Sequence, residues 1–454
     1  MKETQSQFKL PGVPQAKQGR EVAQKWEWTE ASVWTERMLA TLERGIKGGK
    51  WFSLIDKVWK MENLQSALKR VVQNKGAAGV DGKKAEQYLR ESPHRLIQVQ
   101  EMLKTGRYTP QPVKRVWIPK LGSQELRPLG VPAVEDRVVQ TAVRNVIEPV
   151  FENIFAEQSY GFRPRRGAKE ALRRVDQLLD TGRVWVVDAD LKGYFDTIPQ
   201  DKMMEALAKH IADGPLLELI QGFLKQGVME NGKGWQPTET GTPQGAVISP
   251  LLANIYLNPL DHRMAGAGRE MVRYADDFVI LCQSENEANE VLEQLRRWVA
   301  EAGLTLHPAK TRIVNASLKG GFDFLGYHFE RGLRWPRQKS LDKFRETIRQ
   351  KTGRLKPGSI ENITREVNRT LRGWFEYFKH SIKNVFEKED KWIRGRLRAI
   401  LRKRNKGRGI SRGNDHQRWP NDYFADLGLI SLALARSKAS QSRRRTHRLE
   451  SRMP

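Results

Sequence analysis

A chain of 454 residues with 39% hydrophobic content is too long for one ordinary core and has the apolar surface for two or three packed units. Its 80 Lys and Arg against 53 Asp and Glu leave a net charge of +27 and a pI near 10.1, a field that attracts polyanions and far exceeds what solubility requires. The single cysteine, Cys282, excludes an intramolecular disulfide and a zinc site built on several Cys ligands.

In chain order, residues 1 to about 25 are polar, carry Pro11, Gly12 and Pro14, and read as a disordered or extended lead-in without an apolar signal core. Residues 30–44 have helical spacing through Val33, Met38, Leu39 and Leu42 before Gly45, Gly48 and Gly49 break it. Trp26, Trp28 and Trp34 here either dock on RNA or pack. A second amphipathic segment, 52–74, runs through Leu54, Ile55, Val58, Leu64, Leu68 and Val71 and stops at Gly76. A strand over 113–119 and a turn over 120–123 precede a helix over 134–146.

Residues 184–190 form an apolar, β-rich run that finishes on carboxylates. Residues 244–257 read as a buried helix entered through a Thr-Pro-Gln-Gly turn. In 271–281 two short apolar runs meet at Asp276 and Asp277, the pattern of a β-hairpin with both acids at its tip. After Pro336 come long, basic, amphipathic helices separated by Gly353, Pro357 and Gly358. From Arg331 to Pro454 there are 34 Lys and Arg against 12 Asp and Glu, so +22 of the +27 lies there. A near-neutral body joined to a basic C-terminal part suggests a catalytic unit with a nucleic-acid grip. No run nears the ~20 apolar residues of a membrane span, which predicts a soluble, cytoplasmic protein.

Carboxylates at two strand ends suit one chemistry. Joining a nucleotide to a 3′-hydroxyl is an in-line displacement at phosphorus, and two Mg²⁺ ions about 4 Å apart neutralise its charge and activate the hydroxyl. Mg²⁺ takes hard oxygen ligands and keeps several waters, so Asp190, Asp276 and Asp277 suffice to hold it. An Asp-Asp pair alone is a common solvated turn. Tyr274 before it, an apolar strand on each side and Asp190 at a second strand end make the stronger pattern. Further along, Lys391, Arg394, Arg396, Arg398, Arg402, Lys403 and Arg404 cluster around Trp392 and are assigned to RNA phosphates, since a solvated face would mix signs more evenly. Trp374, Tyr377 and Phe378 recur at helical spacing and are assigned to packing.

These residues also carry a family resemblance. The ordered motifs are Asn-Lys-Gly-Ala-Ala-Gly-Val-Asp-Gly at 74–82, Ile-Pro-Lys at 118–120 and Arg-Pro-Leu-Gly-Val-Pro at 127–132. Ser-Tyr-Gly-Phe-Arg-Pro follows at 159–164, then Asp-Leu-Lys-Gly-Tyr-Phe-Asp at 190–196 and Gly-Thr-Pro-Gln-Gly at 241–245. Tyr-Ala-Asp-Asp lies at 274–277, Lys-Thr at 310–311, Phe-Leu-Gly-Tyr at 324–327 and Gly-Trp-Phe-Glu-Tyr-Phe at 373–378. From about residue 55 to 435 the chain resembles bacterial group II intron-encoded reverse transcriptases and maturases.

The resemblance implies an α+β, right-hand polymerase: fingers and a palm with an antiparallel sheet over 55–330, and a helical thumb or maturase domain over 331–435. An extension over 1–54 and a basic tail over 436–454 flank them. It implies that Lys120 and Arg127 grip a triphosphate. Phe195 corresponds to an aromatic gate against ribose, or else is a core aromatic. Gln244 lines the incoming nucleotide, or starts a helix. Arg163 holds template or nucleotide, or sits on the surface, while Lys310 and the Phe324-Leu325-Gly326 turn hold the primer end. The partners implied are group II intron RNA, a DNA target and primer, and dNTPs, in a cytoplasmic ribonucleoprotein. Ala246 departs from the second Gly of many relatives, a mild change to a pocket floor. A Cys-containing endonuclease domain is not expected, so the primer would come from elsewhere. Two other readings are a splicing-only maturase with a dead polymerase site and a free-standing relative used in host defence or DNA repair.

Overall fold

This computed structural model describes residues 24–46, 48–119, 126–407 and 413–440. The expected lead-in, the turn over 120–123 and most of the basic tail lie outside them. The strands in chain order are β1 (Val113–Pro119), β2 (Leu126–Val131), β3 (Trp185–Asp190), β4 (Val228–Glu230), β5 (Gly234–Gln236) and β6 (Glu270–Tyr274). They continue as β7 (Asp277–Cys282), β8 (Arg312–Asn315), β9 (Phe322–Phe324), β10 (Tyr327–Glu330) and β11 (Leu333–Pro336). They form sheets of order β2-β1-β4-β5, β6-β7-β3-β8 and β11-β10-β9. The fold is α+β.

The chain divides into two compact units, neither continuous in sequence. The first comprises the described parts of Met1–Gly167 with Ala189–Phe278 and Leu292–Thr311. Its centre is the helix Val134–Glu152, which runs six residues beyond the expected end because Pro149 stands in its last turn without breaking it. Nearly every residue of this helix is buried, as for a helix packed on all sides. Met61–Gln73 presents Leu64, Ala67, Leu68 and Val71 as one buried stripe. The helix expected over 30–44 begins only at Glu36, where the Thr35 hydroxyl caps the Met38 amide at 3.4 Å. Trp26 and Trp34 ahead of it are core residues at 2% and 3% exposure, and the Trp34 indole donates to the Asn145 carbonyl at 3.0 Å. Packing is therefore the outcome for these two.

The helix expected over 244–257 runs instead from Ser249 to Gly266. Gly245 has φ +106°, which no right-handed helix contains. The Ser249 hydroxyl donates to the Pro243 carbonyl at 2.8 Å, and Pro250 sits in the first helical turn, where its missing N–H costs nothing. In the sheet of this unit β1 and β2 are antiparallel with Trp117 opposite Pro128, whereas β1 and β4 are parallel.

The second unit comprises Ala168–Asp188, Val279–Val291 and, among the described residues, those from Arg312 onward. β3 and β8 pair antiparallel here, with Val186 opposite Val314. β9, β10 and β11 form an antiparallel meander. The basic region is helical over Gln338–Lys351, Ile360–Phe378 and Lys383–Arg404. Trp374 stacks on Phe344 at 4.3 Å and meets Phe386 edge-on at 5.9 Å, and Phe378 lies 4.9 Å from Tyr327. These aromatics are core, as their spacing suggested. Among the described residues no helix is long and apolar enough to cross a membrane.

One buried acid ties remote segments of the first unit together. Asp213 caps the helix Gly214–Lys225 through the Leu216 amide at 3.0 Å. Its other oxygen accepts from the amides of Leu54 at 2.5 Å and Ile55 at 2.9 Å. Asp213→Ala should lower the unfolding free energy by about 2–4 kcal/mol, one lost cap plus two stranded buried amides. Asp213→Asn should lose less than half of that. Urea denaturation of the two variants measures the difference.

Candidate active site

The site is built on a strand end and a hairpin tip. β3 buries Val186, Val187 and Ala189 and delivers a half-buried Asp190 at its last residue. Beside it the backbone of 305–310 is laced to that end: Lys192 N–H donates to the Thr305 carbonyl at 2.8 Å, and His307 N–H to the Asp190 carbonyl at 2.7 Å. This puts the Lys310 ammonium directly on Asp190 Oδ2.

Two residues, Ala275 and Asp276, connect β6 to β7. Ala275 has φ +59°, the left-handed conformation that turns the chain tightly enough to present both acids. The turn is held from within by Arg273, whose guanidinium is wholly buried and uses all five N–H donors. Nε and Nη2 meet the two oxygens of Asp261, Nε at 2.7 Å. Nη1 donates to Asn254 Oδ1 at 2.8 Å and to the Ala275 carbonyl at 2.9 Å, and Nη2 also donates to the Ser159 hydroxyl at 2.8 Å.

Asp276 is half-buried and Asp277, the first residue of β7, is exposed. Burial pushes the Asp276 carboxyl above its usual range, and Asp190 adds like-charge repulsion, while the tip backbone N–H, Arg127 and Lys310 pull the other way. Asp190 and Asp276 thus feel each other. Among the described residues no group of three or more His, Cys, Asp or Glu side chains is placed to hold a metal ion. Carboxylate oxygens are the donor type that a hard divalent cation takes, with waters and substrate phosphates filling the rest of its shell.

Phe195 lies in the short helix Tyr194–Thr197, entered through Gly193 in the left-handed region. The Tyr194 hydroxyl anchors it to the Ala253 carbonyl at 2.6 Å, and Thr242 N–H donates to the Phe195 carbonyl at 2.7 Å. Gln244 is fixed on the other side, its carbonyl accepting from Gly130 N–H at 2.6 Å and its Oε1 from Arg127 Nε at 2.9 Å. Phe195 and Gln244 are walls of one open cavity of about 450 Å³, with Arg115, Trp117 and Asp196.

The geometry can be set beside known proteins. Residues 118–329 match the family model for reverse transcriptase (RNA-dependent DNA polymerase), and residues 341–419 match the group II intron, maturase-specific domain. Protein YkfC of Escherichia coli is 33% identical over 317 residues, 61% of this chain and 83% of YkfC. The chain belongs to the group II intron reverse transcriptase family. The group II intron-encoded protein LtrA of Lactococcus lactis subsp. cremoris is 41% identical over 199 residues, 43% of this chain and 32% of LtrA. A chain of the partial Cas6-RT-Cas1–Cas2 complex superimposes with a TM-score of 0.36 at 22% identity, over 55% of this chain and 41% of that one.

Within this reverse transcriptase, two expectations need correction. Arg163 is 6% exposed and spent on Glu152, with Nη1 on the carbonyls of Ala156 and Ser159 at 2.6 and 2.9 Å. It is a structural pin and does not sit on the surface. Arg398, in the basic cluster, is 3% exposed and donates to the Trp419 carbonyl at 2.8 Å and to Asn421 at 2.9 Å. Arg402 pairs with Asp415 at 2.6 Å, and Arg396 donates to the Thr352 hydroxyl and carbonyl at 2.6 and 3.0 Å. Lys391, Lys403 and Arg404 stay exposed, and Arg394 is half-buried. Phe324 is fully buried, while Leu325 and Gly326 turn with φ +47° and +84°. Lys120 lies outside the described residues. Ala246 is buried.

Composition hid the Arg273 network, because a single arginine before Tyr-Ala-Asp-Asp has no sign of being paired. The one available signal was its place directly after the apolar pair Met271 and Val272 in β6. Removing one partner from a buried ion pair typically costs about 3–5 kcal/mol. Arg273→Lys offers at most three donors for five acceptors. It should lower stability by that order in denaturant melts and reduce nucleotide incorporation further than the stability loss explains.

Proposed function

We propose that this chain copies RNA into DNA, with Asp190, Asp276 and Asp277 holding two Mg²⁺ ions, and that it binds structured intron RNA and assists its splicing and mobility. The observation that supports the reading most strongly is the convergence of Asp190 and Asp276 at a strand end and a hairpin tip, close enough for one to raise the proton affinity of the other. The ions, when bound, supply the positive charge needed at the transferring phosphoryl group and make the primer hydroxyl more acidic.

The chain's own residues do the rest. Arg115 lines the cavity and Arg127 holds Gln244 at its wall, which brings two guanidinium groups to where phosphates would enter; partial burial raises the Asp196 carboxyl above its usual range, and both arginines oppose that rise. Arg127 also fixes the Gln244 side chain, so the nucleotide-facing amide is held before substrate arrives. Phe195 stands rigidly between its two anchors and closes the cavity where a ribose 2′-hydroxyl would project. Lys310 neutralises Asp190 and lies beside the strand end where a primer terminus would meet the carboxylates.

RNA binding falls to the part of the basic region left exposed. Lys391 and Lys403 project to solvent, and Trp392 has Arg345, Arg349 and Arg396 over its ring at 5.6 to 5.9 Å. A half-buried indole ringed by guanidinium groups suits phosphate and base contacts together. The protein would act in the cytoplasm as a ribonucleoprotein.

Purified protein should extend a DNA primer on an RNA template with dNTPs and Mg²⁺. Asp276→Ala should abolish extension and leave RNA binding within about twofold, since a surface-proximal carboxylate contributes nothing to phosphate contacts. An unmodified protein that extends no primer at any Mg²⁺ concentration favours a splicing-only role. Phe195→Ala should raise rNTP incorporation relative to dNTP by about tenfold or more. Unchanged discrimination in a primer-extension assay removes the gate.

A further inference from the structure

The Ser-Tyr-Gly-Phe-Arg-Pro motif is not accounted for by its arginine, which is buried. The segment around it is fastened to β6 and to the helix Ser249–Gly266. Arg273 N–H donates to the Gln158 carbonyl at 2.9 Å, Tyr160 N–H to the Arg273 carbonyl at 2.8 Å, and Asn254 Nδ2 to the Gly161 carbonyl at 2.7 Å. Gly161 lies so near the tip that a Cβ there would stand 2.4 Å from the Ala275 nitrogen. On the far side Arg163 is pinned by Glu152 and two carbonyls.

Between these two anchors sits Phe162. Its φ is +55°, a left-handed conformation that costs a bulky residue energy and persists only where the surroundings impose it. Phe162 is 49% exposed, and its ring lies 6.1 Å from the ring of Tyr274, the residue two before Asp276. A large apolar side chain held in a strained conformation and pointed at solvent gains little for the core.

The ring forms one wall of a recess of about 230 Å³. Val247, Pro250 and Leu251 give it further apolar walls. Arg144 and Glu148 give it a polar edge, paired at 2.6 and 3.0 Å with the Glu148 carboxylate buried. Sites for whole small-molecule ligands usually span about 300–1,000 Å³, so this recess suits a single flat ring system. A recess with an aromatic wall, further apolar walls, and a guanidinium and a carboxylate on one rim matches the chemistry of an unpaired nucleobase.

We propose that Phe162 and this recess hold one unpaired base of the template strand beside the catalytic hairpin, with Phe162 as the stacking platform and Arg144 and Glu148 at the base edge. Phe162 is then a positioning residue, coupled through Gly161 and Tyr274 to the strand that carries the carboxylates. This rests on the polymerase reading given above, but its test does not require turnover.

The probe is an RNA template annealed to a DNA primer, with 2-aminopurine as the first unpaired template base. Binding of the full chain should quench the fluorophore by stacking. Phe162→Ala should abolish the quench and weaken binding of the overhanging duplex by roughly 5- to 100-fold, the span that one stacked base supplies. Affinity for a blunt duplex should stay unchanged, and Phe162→Tyr should restore both signals. Phe162→Gly fits the positive φ without strain, so it should fold at least as stably while showing the same binding defect. Quenching and overhang affinity that persist in the folded Gly variant would overturn the assignment. A chain that quenches the probe but extends no primer would remove the polymerase reading and leave the base site standing.

Discussion

The hairpin tip that carries Asp276 depends on one buried guanidinium. Arg273 has no exposure, and its five donors are distributed over a carboxylate, an amide side chain, a hydroxyl and the carbonyl of the turn itself. A charge in that position is tolerable only because each donor has an acceptor. The arrangement makes the position of the hairpin tip a consequence of the surrounding core. Asp261 and Asn254 come from one face of the helix Ser249–Gly266, and Ser159 from the segment that carries Phe162. The carboxylates are therefore positioned by a polar network with directional bonds, which apolar packing alone would leave free to slide.

The cavity next to them is held in a related way. Gly245 with φ +106° and Gly241 with φ +79° let two backbones approach where any Cβ would collide, at 2.6 Å from the Gly130 carbonyl and 2.5 Å from the Phe195 carbonyl. Phe195 and Gln244 are thus fixed by main-chain contacts, and Arg127 on β2 is held to Gln244 through its side chain.

Much of this was legible in the residues. The strand ending at Asp190 and the hairpin at Asp276 could be read because apolar runs broken by acids have few other solutions. The aromatic helix face at Trp374 and Phe378 followed from its period. Helix starts were less accessible, because Gly245 and Thr35 decide them by local backbone geometry that no periodicity reports. Arginines were the hardest. Arg163, Arg273 and Arg398 have the same formal charge as Lys391, yet each is consumed by acceptors 11, 12 and 21 positions away in sequence. Charge counting measures the supply of cations and says nothing of which are already spent. The basic region offers fewer free contacts to a polyanion than its +22 suggests.

The pairing of Lys310 with Asp190 has a consequence for the acid across from it. Its ammonium stands on Asp190 Oδ2, so part of the carboxylate charge is already met by a side chain on the same backbone that frames the strand end. The same ammonium opposes the burial and the like charge that raise the Asp276 carboxyl, so two acids can share one neighbourhood without a bound ion between them.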